Sequence, residues 1–560
     1  MKRIGLILCM GLILAAAAVA ASVLPVAQAQ EEGSRFSDAA LAHLSQGPLI
    51  RYLQAHPDQA PEQVGQNLQT LQQAAVSQSE ARSAARSVLP PPAGVGTLFN
   101  RDDLGLPQNE ESITACRSNP HVVLGGTNDF RGLVDPQGNF TGWHFSTNGG
   151  RSVENEGLLP PVKIGGRDVP SGGDPVDVVD DACNLYAGSL NYDPEDPFNN
   201  PNGVGVYKSD PQTLANCPGG ADPSCWPTRR VVAVNKPGHF LDKEWIYVGR
   251  SSAERGGGVG TVVWIVYTDF VMDETAPLGF TSASIKAVRC NADLQDCTAP
   301  ILISGTDKDV QFADVTIGPD GRTYVTWSQI KGELQEQPQT FTHKLRVAEP
   351  GSTSFGPTHV VATEDLAIPF GGRLNANDFR VATYPKNEVR MVNGKPRVYV
   401  VWDACRARVL DGMVCEEPLI KLTTSDDLGE SWSDAKTLSK GGPNYFPTIS
   451  NDRKGPNLAV AYFTNRFDRR FENRQDVELV TLNPKTLGTV NRQRLTSLSN
   501  EPEADPLLGG SFIGDYIEVF ALQNRALVHY NANYRQIQLL GEGLPVPQQD
   551  NYLRRASLGR

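Results

Sequence analysis

The stretch Ser425-Asp426-Asp427-Leu428-Gly429-Glu430-Ser431-Trp432 decides the fold of this 560-residue chain. It reads S-x-D-x-G-x-x-W, and each fixed position has a physical reason. Asp427 and Gly429 suit a tight turn, in which a carboxylate accepts backbone N–H bonds and glycine adopts a positive φ. Ser425 closes the turn by a local side-chain hydrogen bond. Trp432 folds back as an apolar plug between neighbouring sheets, so the stretch predicts a hairpin turn of an all-β protein.

A weaker copy of this pattern lies at residues 146–153. Ser146 and Gly150 keep their places, whereas Asn148 stands for the aspartate and Val153 for the tryptophan. Asparagine tolerates the same turn geometry and also bonds to nearby backbone groups. The copy therefore predicts a second turn of the same kind.

From about residue 113 onward, short β-branched and aromatic runs alternate with Gly, Pro, Asn and Asp. This sequence pattern is typical of an all-β fold. The runs also recur with a loose period, which indicates a radial repeat. Units of roughly 60 residues with about four strands each predict a β-propeller of four-stranded antiparallel sheets over residues 113–540. Seven blades are favoured and six are the alternative, because the first and last segments could share one blade. The units open near residues 113, 174, 242, 312, 376, 446 and 512.

The N-terminal residues resemble an export signal. Met1-Lys2-Arg3 precedes an apolar run over 4–26 and the small-residue sequence Ala27-Gln28-Ala29, which predicts a signal peptide over 1–29 and a secreted or periplasmic protein. A retained membrane anchor is the competing interpretation of this run. No later segment reaches the ~18 apolar residues that a membrane span needs, so we expect no stable membrane insertion after signal removal.

Residues 30–92 are predicted to form a helical segment that ends in Pro90-Pro91-Pro92. Apolar residues recur in this segment at helical spacing. It could be a stalk, a pro-segment or a packed cap, and residues 541–560 are taken as a C-terminal tail.

Eight cysteines remain once Cys9 leaves with the signal. An even number in an exported chain indicates disulfides. Three pairs are close in sequence, which leaves the fourth pair by default, although eight cysteines allow many connectivities. The predicted pairs are Cys217–Cys225, Cys290–Cys297, Cys405–Cys415 and Cys116–Cys183.

The net charge and the spacing of possible metal-binding residues argue against a nucleic-acid partner and against a zinc site. The formal net charge of −12 argues against nucleic acid as a partner. The sequence contains no C-x-x-C motif and its eight histidines are scattered, so a zinc site is not expected. We therefore predict no resident metal or other cofactor, with Ca²⁺ as the one exception considered below.

The propeller region resembles the sialidase superfamily, specifically secreted bacterial proteins with BNR/Asp-box repeats. The 425–432 stretch is similar to the Asp-box of that group. Further similar pieces follow in order along the chain: Asn128-Asp129-Phe130-Arg131, Asp242-Lys243-Glu244-Trp245-Ile246 and Gly514-Asp515-Tyr516-Ile517.

The resemblance implies a catalytic set of three arginines that bind the substrate carboxylate, an Asp acid/base, and a Tyr nucleophile activated by Glu. Arginine gives bidentate recognition of a carboxylate, and a Tyr nucleophile is the exception that sialidases make among glycosidases. The Phe-Arg-Ile-Pro motif of the family is absent, and Asn-Asp-Phe-Arg at 128–131 and 377–380 is its nearest shape. The positions that match this set are Asp129, Arg131, Arg380, Glu388, Arg406 and Tyr516.

Acidic residues also stand at or near the unit openings. Carboxylates gathered in a channel would repel each other unless they are paired, protonated or bound to a metal. They could form a Ca²⁺ site or pair with Lys243, Arg131 and Arg380. Alternatively, they cap strand starts by accepting backbone N–H bonds. The residues concerned are Asp129, Asp174, Asp242, Asp314, Asp378 and Asp515.

Three functions remain open from the sequence. The first is an exported glycoside hydrolase of the exo-sialidase type that acts on terminal acidic sugars. The second is a non-catalytic propeller that binds a glycan or a protein at the cell surface, which the missing Phe-Arg-Ile-Pro motif favours. The third is a propeller lyase or hydrolase that acts on another polysaccharide. In each case the expected partner is a glycan or a cell-surface glycoconjugate.

Overall fold

The computed structural model describes residues 44–56, 65–66, 68, 87–89, 91–193, 200–251, 260–273, 275–276, 278–332, 339–369, 371–453, 455–538 and 543–559. The chain divides into two compact units, Met1–Arg35 and Phe36–Arg560. The predicted signal peptide falls in the first unit and lies outside the described residues, as does most of the predicted helical segment.

Seven antiparallel sheets follow one another along the described chain. The first six have four strands each, paired in chain order. Sheet 7 has three longer strands and gains two short strands from the N-terminal side. Sheet 1 comprises β3 (Gln108–Ala115), β4 (Val123–Asp129), β5 (Thr141–Ser146) and β6 (Asn155–Leu158); sheet 2, β9 (Val176–Val179), β10 (Leu185–Asn191), β11 (Gly203–Ser209) and β12 (Thr228–Val234); sheet 3, β13 (His239–Arg250), β14 (Thr261–Met272), β15 (Phe280–Asn291) and β16 (Ile301–Leu302). Sheet 4 comprises β17 (Val310–Ile317), β18 (Thr323–Lys331), β19 (Thr340–Ala348) and β20 (His359–Glu364); sheet 5, β23 (Lys386–Val392), β24 (Lys395–Cys405), β27 (Pro418–Ser425) and β28 (Lys436–Thr437); sheet 6, β29 (Asn444–Asn451), β30 (Leu458–Thr464), β31 (Asp476–Leu482) and β32 (Thr489–Arg494); sheet 7, β33 (Glu518–Leu522), β34 (Arg525–Ile537), β35 (Val546–Ser557), β1 (Ser87–Leu89) and β2 (Thr97–Leu98).

The described chain also contains smaller elements outside the seven sheets. Two α-helices are described, and a 3-10 helix follows β4. A four-stranded insertion precedes and interrupts sheet 5, and one isolated hairpin follows sheet 1. The elements are α1 (Gln46–Ala55), α2 (Pro211–Asn216), the 3-10 helix Phe130–Val134, the insertion β21 (Gly372–Leu374), β22 (Asn377–Val381), β25 (Val409–Leu410) and β26 (Val414–Cys415), and the hairpin β7 (Val162–Ile164) and β8 (Arg167–Val169).

The first strand of each sheet lies innermost. β3, β17 and β29 are buried along their whole length, whereas β19 alternates buried and half-exposed side chains as an outer strand does. Each inner strand contacts the inner strand of the next sheet, and β33 contacts β3. The fold is thus all-β, with four-stranded antiparallel sheets in an arrangement consistent with a propeller.

The hydrophobic core lies between neighbouring sheets. Trp264 of sheet 3 and Trp327 of sheet 4 share one buried cluster, and Trp402 of sheet 5 belongs to the cluster shared with sheet 4. Another cluster joins sheet 1 to sheet 7 through Ile113 and Leu527. Burying large apolar side chains in this way supplies the main driving force for packing the sheets.

Two boundaries differ from the sequence-based expectation. Residues 546–557, assigned to a C-terminal tail, form β35, which pairs with β34 along its length and with β2. The unit expected to open near 376 begins at Lys386, because residues 372–381 form the β21–β22 hairpin instead. Polar strands such as 546–557 are stabilised by their ladder partners, and this pairing leaves no local apolar signal.

The turn at 425–432 joins β27 to β28 and has the predicted hydrogen bonds. The Ser425 hydroxyl lies 2.8 Å from Asp427 Oδ1 and accepts the Gly429 N–H at 2.8 Å. Asp427 Oδ1 also accepts the Ser431 N–H at 2.9 Å. Trp432 packs against the cluster between sheets 4 and 5. Trp432 is therefore partly buried at the cluster that these two sheets share.

The weaker copy has the same arrangement between β5 and β6. The Ser146 hydroxyl accepts the Gly150 N–H at 3.1 Å, and Asn148 Oδ1 accepts the Arg151 N–H at 2.9 Å. Val153 packs against the cluster between sheets 1 and 7. The two turns thus occupy equivalent positions in sheets 1 and 5.

Ser425→Ala is expected to destabilise the protein by about 1–3 kcal/mol, because a lost hydrogen bond costs ~1 kcal/mol and this hydroxyl serves two backbone N–H groups and a carboxylate. The measurement is the free energy of unfolding in urea. Glu430→Ala in the same turn is the control, since Glu430 is exposed. Equal effects of the two substitutions would contradict a structural role for Ser425.

Four disulfides are present, with the predicted pairing: Cys116–Cys183, Cys217–Cys225, Cys290–Cys297 and Cys405–Cys415. This number fits an extracellular protein. Within the part of the chain that the structure describes, no helix is long and apolar enough to cross a membrane.

Candidate functional site

The inner strands share an unusual backbone feature near their starts. In four of them a β-bulge interrupts the ladder and places one non-glycine residue at positive φ. Asp174 adopts positive φ directly before β9. Such residues are strained, and strain of this kind is concentrated at binding and catalytic sites. The residues are Glu110 (φ 58°), Asp174 (φ 55°), Lys243 (φ 53°), Phe312 (φ 60°) and Phe446 (φ 51°).

An ion-pair network lies at a small cavity, here called the first cavity, which Asp174, Lys243 and Phe312 help to line. Arg380 binds Asp515 through two nitrogens, at 2.9 Å and 2.7 Å. Lys243 pairs with the same carboxylate and lies 3.9 Å from Asp174 Oδ2. Burial acts to raise the pKa of Asp515, but Arg380 and Lys243 outweigh it and hold the pKa at about 2. Asp515 is therefore a permanently ionised carboxylate at neutral pH.

Further carboxyl groups face this network without cations of their own. Burial, followed by the charge of Asp174, raises the pKa of Asp242 to about 7. Burial also raises the pKa of Glu110 and of Glu244 well above the usual range. Asp174 Oδ1 and Asp242 Oδ1 are buried and lack a hydrogen-bond partner among the described residues. Buried polar atoms normally have partners, so these two oxygens indicate a place for a ligand or water.

Aromatic side chains form the opposite wall. Phe312 stacks on Tyr384 with ring centroids 5.1 Å apart, and Tyr384 donates to the backbone carbonyl of Asp515. Trp245 meets Tyr516 edge to face at 5.6 Å. The space between these residues measures about 30 Å³, which is room for a water molecule.

A second cavity of about 90 Å³ continues from the first along the inner strands, and Trp245 and Lys386 line both. Burial raises the pKa of Glu388 to about 6 and lowers that of Lys386 to about 8. Arg117 and Arg453 stand at this end as well. Titratable groups with shifted pKa values thus extend through the centre of the molecule.

The structure brings only some of the sequence-predicted catalytic residues together. Arg380 and Tyr516 lie at the first cavity, while Glu388 lines the second. The hydroxyl of Tyr516 donates to the Pro175 carbonyl at 3.0 Å, and burial, followed by the charge of Glu110, raises the pKa of the Tyr516 phenol. A tyrosine held in this way is not prepared as a nucleophile.

The other three predicted residues lie elsewhere. Arg131 turns back onto Asp129, with Nε 3.0 Å from Asp129 Oδ1, and also binds Glu156 at 2.8 Å. Arg406 is on the surface, where it pairs with Glu417 at 3.4 Å. No common pocket holds Arg131, Arg380 and Arg406 among the cavities described.

The acidic residues at the unit openings divide in the same way. Asp174, Asp242 and Asp515 converge, as one of the alternatives predicted, and Lys243 and Arg380 pair with Asp515. Asp314 lies at the second cavity, where the Asn387 N–H donates to it at 2.6 Å. Asp129 pairs with Arg131, and Asp378 is exposed beside Arg373. In the described residues, no group of three or more His, Cys, Asp or Glu is arranged to hold a metal ion.

The sequence places Asp242 among the acidic residues at the unit openings and Lys243 among their possible partners, but it gives neither a catalytic role and does not single out Tyr384. The contribution of Ser45 leaves no local signal in the sequence, because Ser45 lies 197 residues from Asp242.

Comparison with solved structures finds distant likenesses. A Hadza microbial sialidase, Hz136, is 11% identical with a TM-score of 0.39, over 75% of this chain and 73% of that one. A protein of unknown function from Dyadobacter fermentans is 9% identical with a TM-score of 0.43, over 85% and 99%. An α-L-arabinanase from Penicillium chrysogenum is 11% identical with a TM-score of 0.38, over 68% and 93%. These likenesses are too remote to carry an argument about function.

No protein-family model matches the sequence, and a comparison with curated proteins finds no match. The function must therefore be argued from the cavity itself.

Proposed function

We propose that this chain is an exported glycoside hydrolase built as a closed seven-bladed β-propeller, with the active site in the cavity of Asp174, Asp242 and Asp515. The ring is supported by the contacts of each inner strand with the next and of β33 with β3. Pairing of β2 with β35 joins the N-terminal side to the last sheet, which closes a propeller without an open sheet edge. The turns at 425–432 and 146–153 act as its Asp-boxes, and residues 1–29 direct its export.

One observation carries the catalytic part of the proposal: two buried carboxyl groups, Asp242 and Asp174 of the first cavity, are bound by the same residue, Ser45, and each keeps one oxygen without a partner among the described residues. Glycoside hydrolysis typically uses such a pair. Asp242, with a pKa of about 7, is suited to donate a proton to the glycosidic oxygen. Asp174 is the second carboxylate, and the configuration of the product separates direct attack by Asp174 from activation of water.

The test is hydrolysis of a panel of 4-methylumbelliferyl glycosides, including the N-acetylneuraminide, the N-acetylglucosaminide and the arabinofuranoside. We expect release of the fluorophore from at least one of them, with activity that falls as the pH rises above about 7, where Asp242 loses its proton. Complete inactivity of both the native chain and the opened variant described below would refute the hydrolase.

Tyr516→Phe distinguishes this mechanism from the sialidase mechanism that the sequence suggests. We expect the variant to retain most of its activity, because the phenol is hydrogen-bonded to Pro175 and buried. Loss of nearly all activity, with an unchanged fold by circular dichroism, would instead support Tyr516 as the nucleophile. Hydrolysis of the neuraminide alone would support the terminal acidic sugar as the substrate.

The second candidate is a non-catalytic propeller that binds a glycan at the cell surface. The specific observation in its favour is that Arg131 and Arg406 lie apart from Arg380. Binding on a glycan array without hydrolysis of any bound glycan would select this function.

A further inference from the structure

The carboxyl groups at the first cavity are already bound by a group from the chain itself. The peptide unit between Leu44 and Ser45 contacts them, and both residues are buried. The Ser45 N–H donates to Asp242 Oδ2 at 2.9 Å, and the Ser45 hydroxyl donates to Asp174 Oδ2 at 2.6 Å. Arg380 Nη1 donates to the Leu44 carbonyl at 2.6 Å. One amide and one neighbouring hydroxyl thus engage the two proposed catalytic carboxyl groups and the arginine.

Residues 44–56, here called the strap, are held over the cavity by further contacts. Gly47 lies directly on the Gly172 carbonyl, so that a Cβ there would come within 1.8 Å of the oxygen. Arg51 donates to the carbonyls of Gly132 at 2.9 Å and Gly138 at 3.1 Å. Leu44, Ile50 and Leu53 are buried in a cluster with Phe130, Phe140 and Phe240. The strap is therefore fixed on the described residues of sheets 1 to 3, with Ser45 on the two carboxyl groups.

The functional groups of the strap correspond to those of a particular ligand class. A seryl amide has an N-acyl nitrogen and a hydroxyl on adjacent carbons. A 2-acetamido sugar has the same pair on C2 and C3. The carbonyl acceptor, the N–H donor and the hydroxyl donor can therefore be matched one to one with Arg380, Asp242 and Asp174.

The charged residues around the cavity favour a neutral sugar over an anionic one as the ligand. Lys243 and Arg380 are both bound to Asp515, and Lys386, which also lines the first cavity, lies 3.8 Å from Asp314. An anionic sugar would therefore find these three cations already engaged within the protein. A neutral sugar that donates hydrogen bonds to carboxylates fits better.

We propose that the cavity binds a neutral N-acetylated amino sugar through Arg380, Asp242 and Asp174, and that the strap occupies the same subsite and must leave before the sugar binds. This rests on the proposed function of the same site. A sugar held by its C2 and C3 groups leaves neither carboxyl group at C1, so it competes with the substrate as the strap does, and the proposal adds an inhibitory ligand class and a form of regulation. Ligand and strap compete, so the affinity observed for the sugar is reduced by the fraction of molecules in which the strap is closed.

The first experiment opens the strap without altering any group of the cavity. Gly47→Ala places a methyl group against the Gly172 backbone, and Gly441→Ala is the matched control because nothing lies within 4 Å of a Cβ there. We expect hydrogen exchange of the amides in 44–56 to accelerate at least tenfold in Gly47→Ala and not in the control. Ser45→Asp, which places a carboxylate against Asp174 and Asp242, is the second opening variant. Unchanged hydrogen exchange in both opening variants would contradict the proposal that the strap can leave the subsite.

The second experiment tests the ligand with N-acetylglucosamine as the probe and glucose as its control, both followed by saturation-transfer NMR and by exchange of the Ser45 amide. We expect N-acetylglucosamine to bind, to accelerate exchange at Ser45 in the native chain, and to bind at least tenfold more tightly to Gly47→Ala. Equal binding of glucose, or no binding of N-acetylglucosamine to the opened variant, would overturn the ligand class. Binding without faster exchange at Ser45 would overturn the competition.

These outcomes are independent of catalysis, because neither exchange nor NMR binding requires hydrolysis. An opened variant that binds N-acetylglucosamine but cleaves no glycoside refutes the hydrolase and leaves the subsite standing. A hydrolase that is active on other glycosides, with no binding of this sugar, refutes the subsite alone.

Discussion

Asp242→Asn is expected to lower the rate of glycoside hydrolysis by ~10²–10⁴-fold, the contribution that general acid catalysis typically makes. The substitution keeps the shape of the side chain and its acceptor for the Ser45 N–H, but removes the proton that the leaving group needs. Because burial and Asp174 raise the pKa of Asp242 to about 7, the native activity should fall above that pH. The residual activity of the variant should not show this decline.

The measurement is kcat/KM against pH on the best 4-methylumbelliferyl glycoside, for the native chain and the variant. Asp168→Asn is the matched control, since Asp168 is exposed and pairs only with Lys163 in the described residues. We expect the control to retain full activity. A variant that keeps both its rate and the decline above pH 7 would show that another group supplies the proton.

Local patterns in the sequence were sufficient to predict the class of fold and several of its details. The 425–432 stretch specified its own turn, because every hydrogen bond of that turn joins residues within four positions of each other. Cysteines that are close in sequence predicted three disulfides for the same reason. The openings expected near 242, 312 and 446 lie within a few residues of the starts of β13, β17 and β29.

The candidate site was harder to predict, because its members come from distant parts of the chain. Arg131 stands in an Asn-Asp-Phe-Arg sequence like that of Arg380, yet one folds back onto its neighbour Asp129 and the other reaches Asp515, 135 residues away. The same motif therefore leads to two different environments. Only tertiary packing determines which arginine faces the cavity.

The protonation states of the carboxyl groups could not be predicted from the sequence either. Sequence indicated that acidic residues recur at the openings, but their pKa values depend on burial and on neighbours supplied by other sheets. Asp515 is ionised because Arg380 and Lys243 face it, whereas burial and the charge of Asp174 raise the pKa of Asp242, which accepts the Ser45 N–H. Two aspartates of the same kind thus acquire opposite protonation preferences.

Arg380→Met is expected to destabilise the protein by ~3–5 kcal/mol at neutral pH, the cost of removing one partner from a buried ion pair. The guanidinium contributes two bonds to Asp515 and one to the Leu44 carbonyl. Without it, Asp515 remains buried with Lys243 as its cation. The measurement is the free energy of unfolding in urea. Arg406→Met is the control, because Arg406 and Glu417 form an exposed pair, which is worth below ~1 kcal/mol.

The difference in unfolding free energy between the native chain and Arg380→Met is expected to depend on pH. The pKa of Asp515 is depressed to about 2 in the folded protein, against about 3.9 for an unperturbed aspartate. Its stabilising contribution is therefore complete above about pH 4 and is lost as the pH falls toward 2. The stability difference between the native chain and Arg380→Met should shrink over the same range, while that of Arg406→Met stays small throughout. A difference that does not change between pH 5 and pH 2.5, or equal losses from both substitutions, would mean that the pair of Arg380 and Asp515 does not stabilise the cavity.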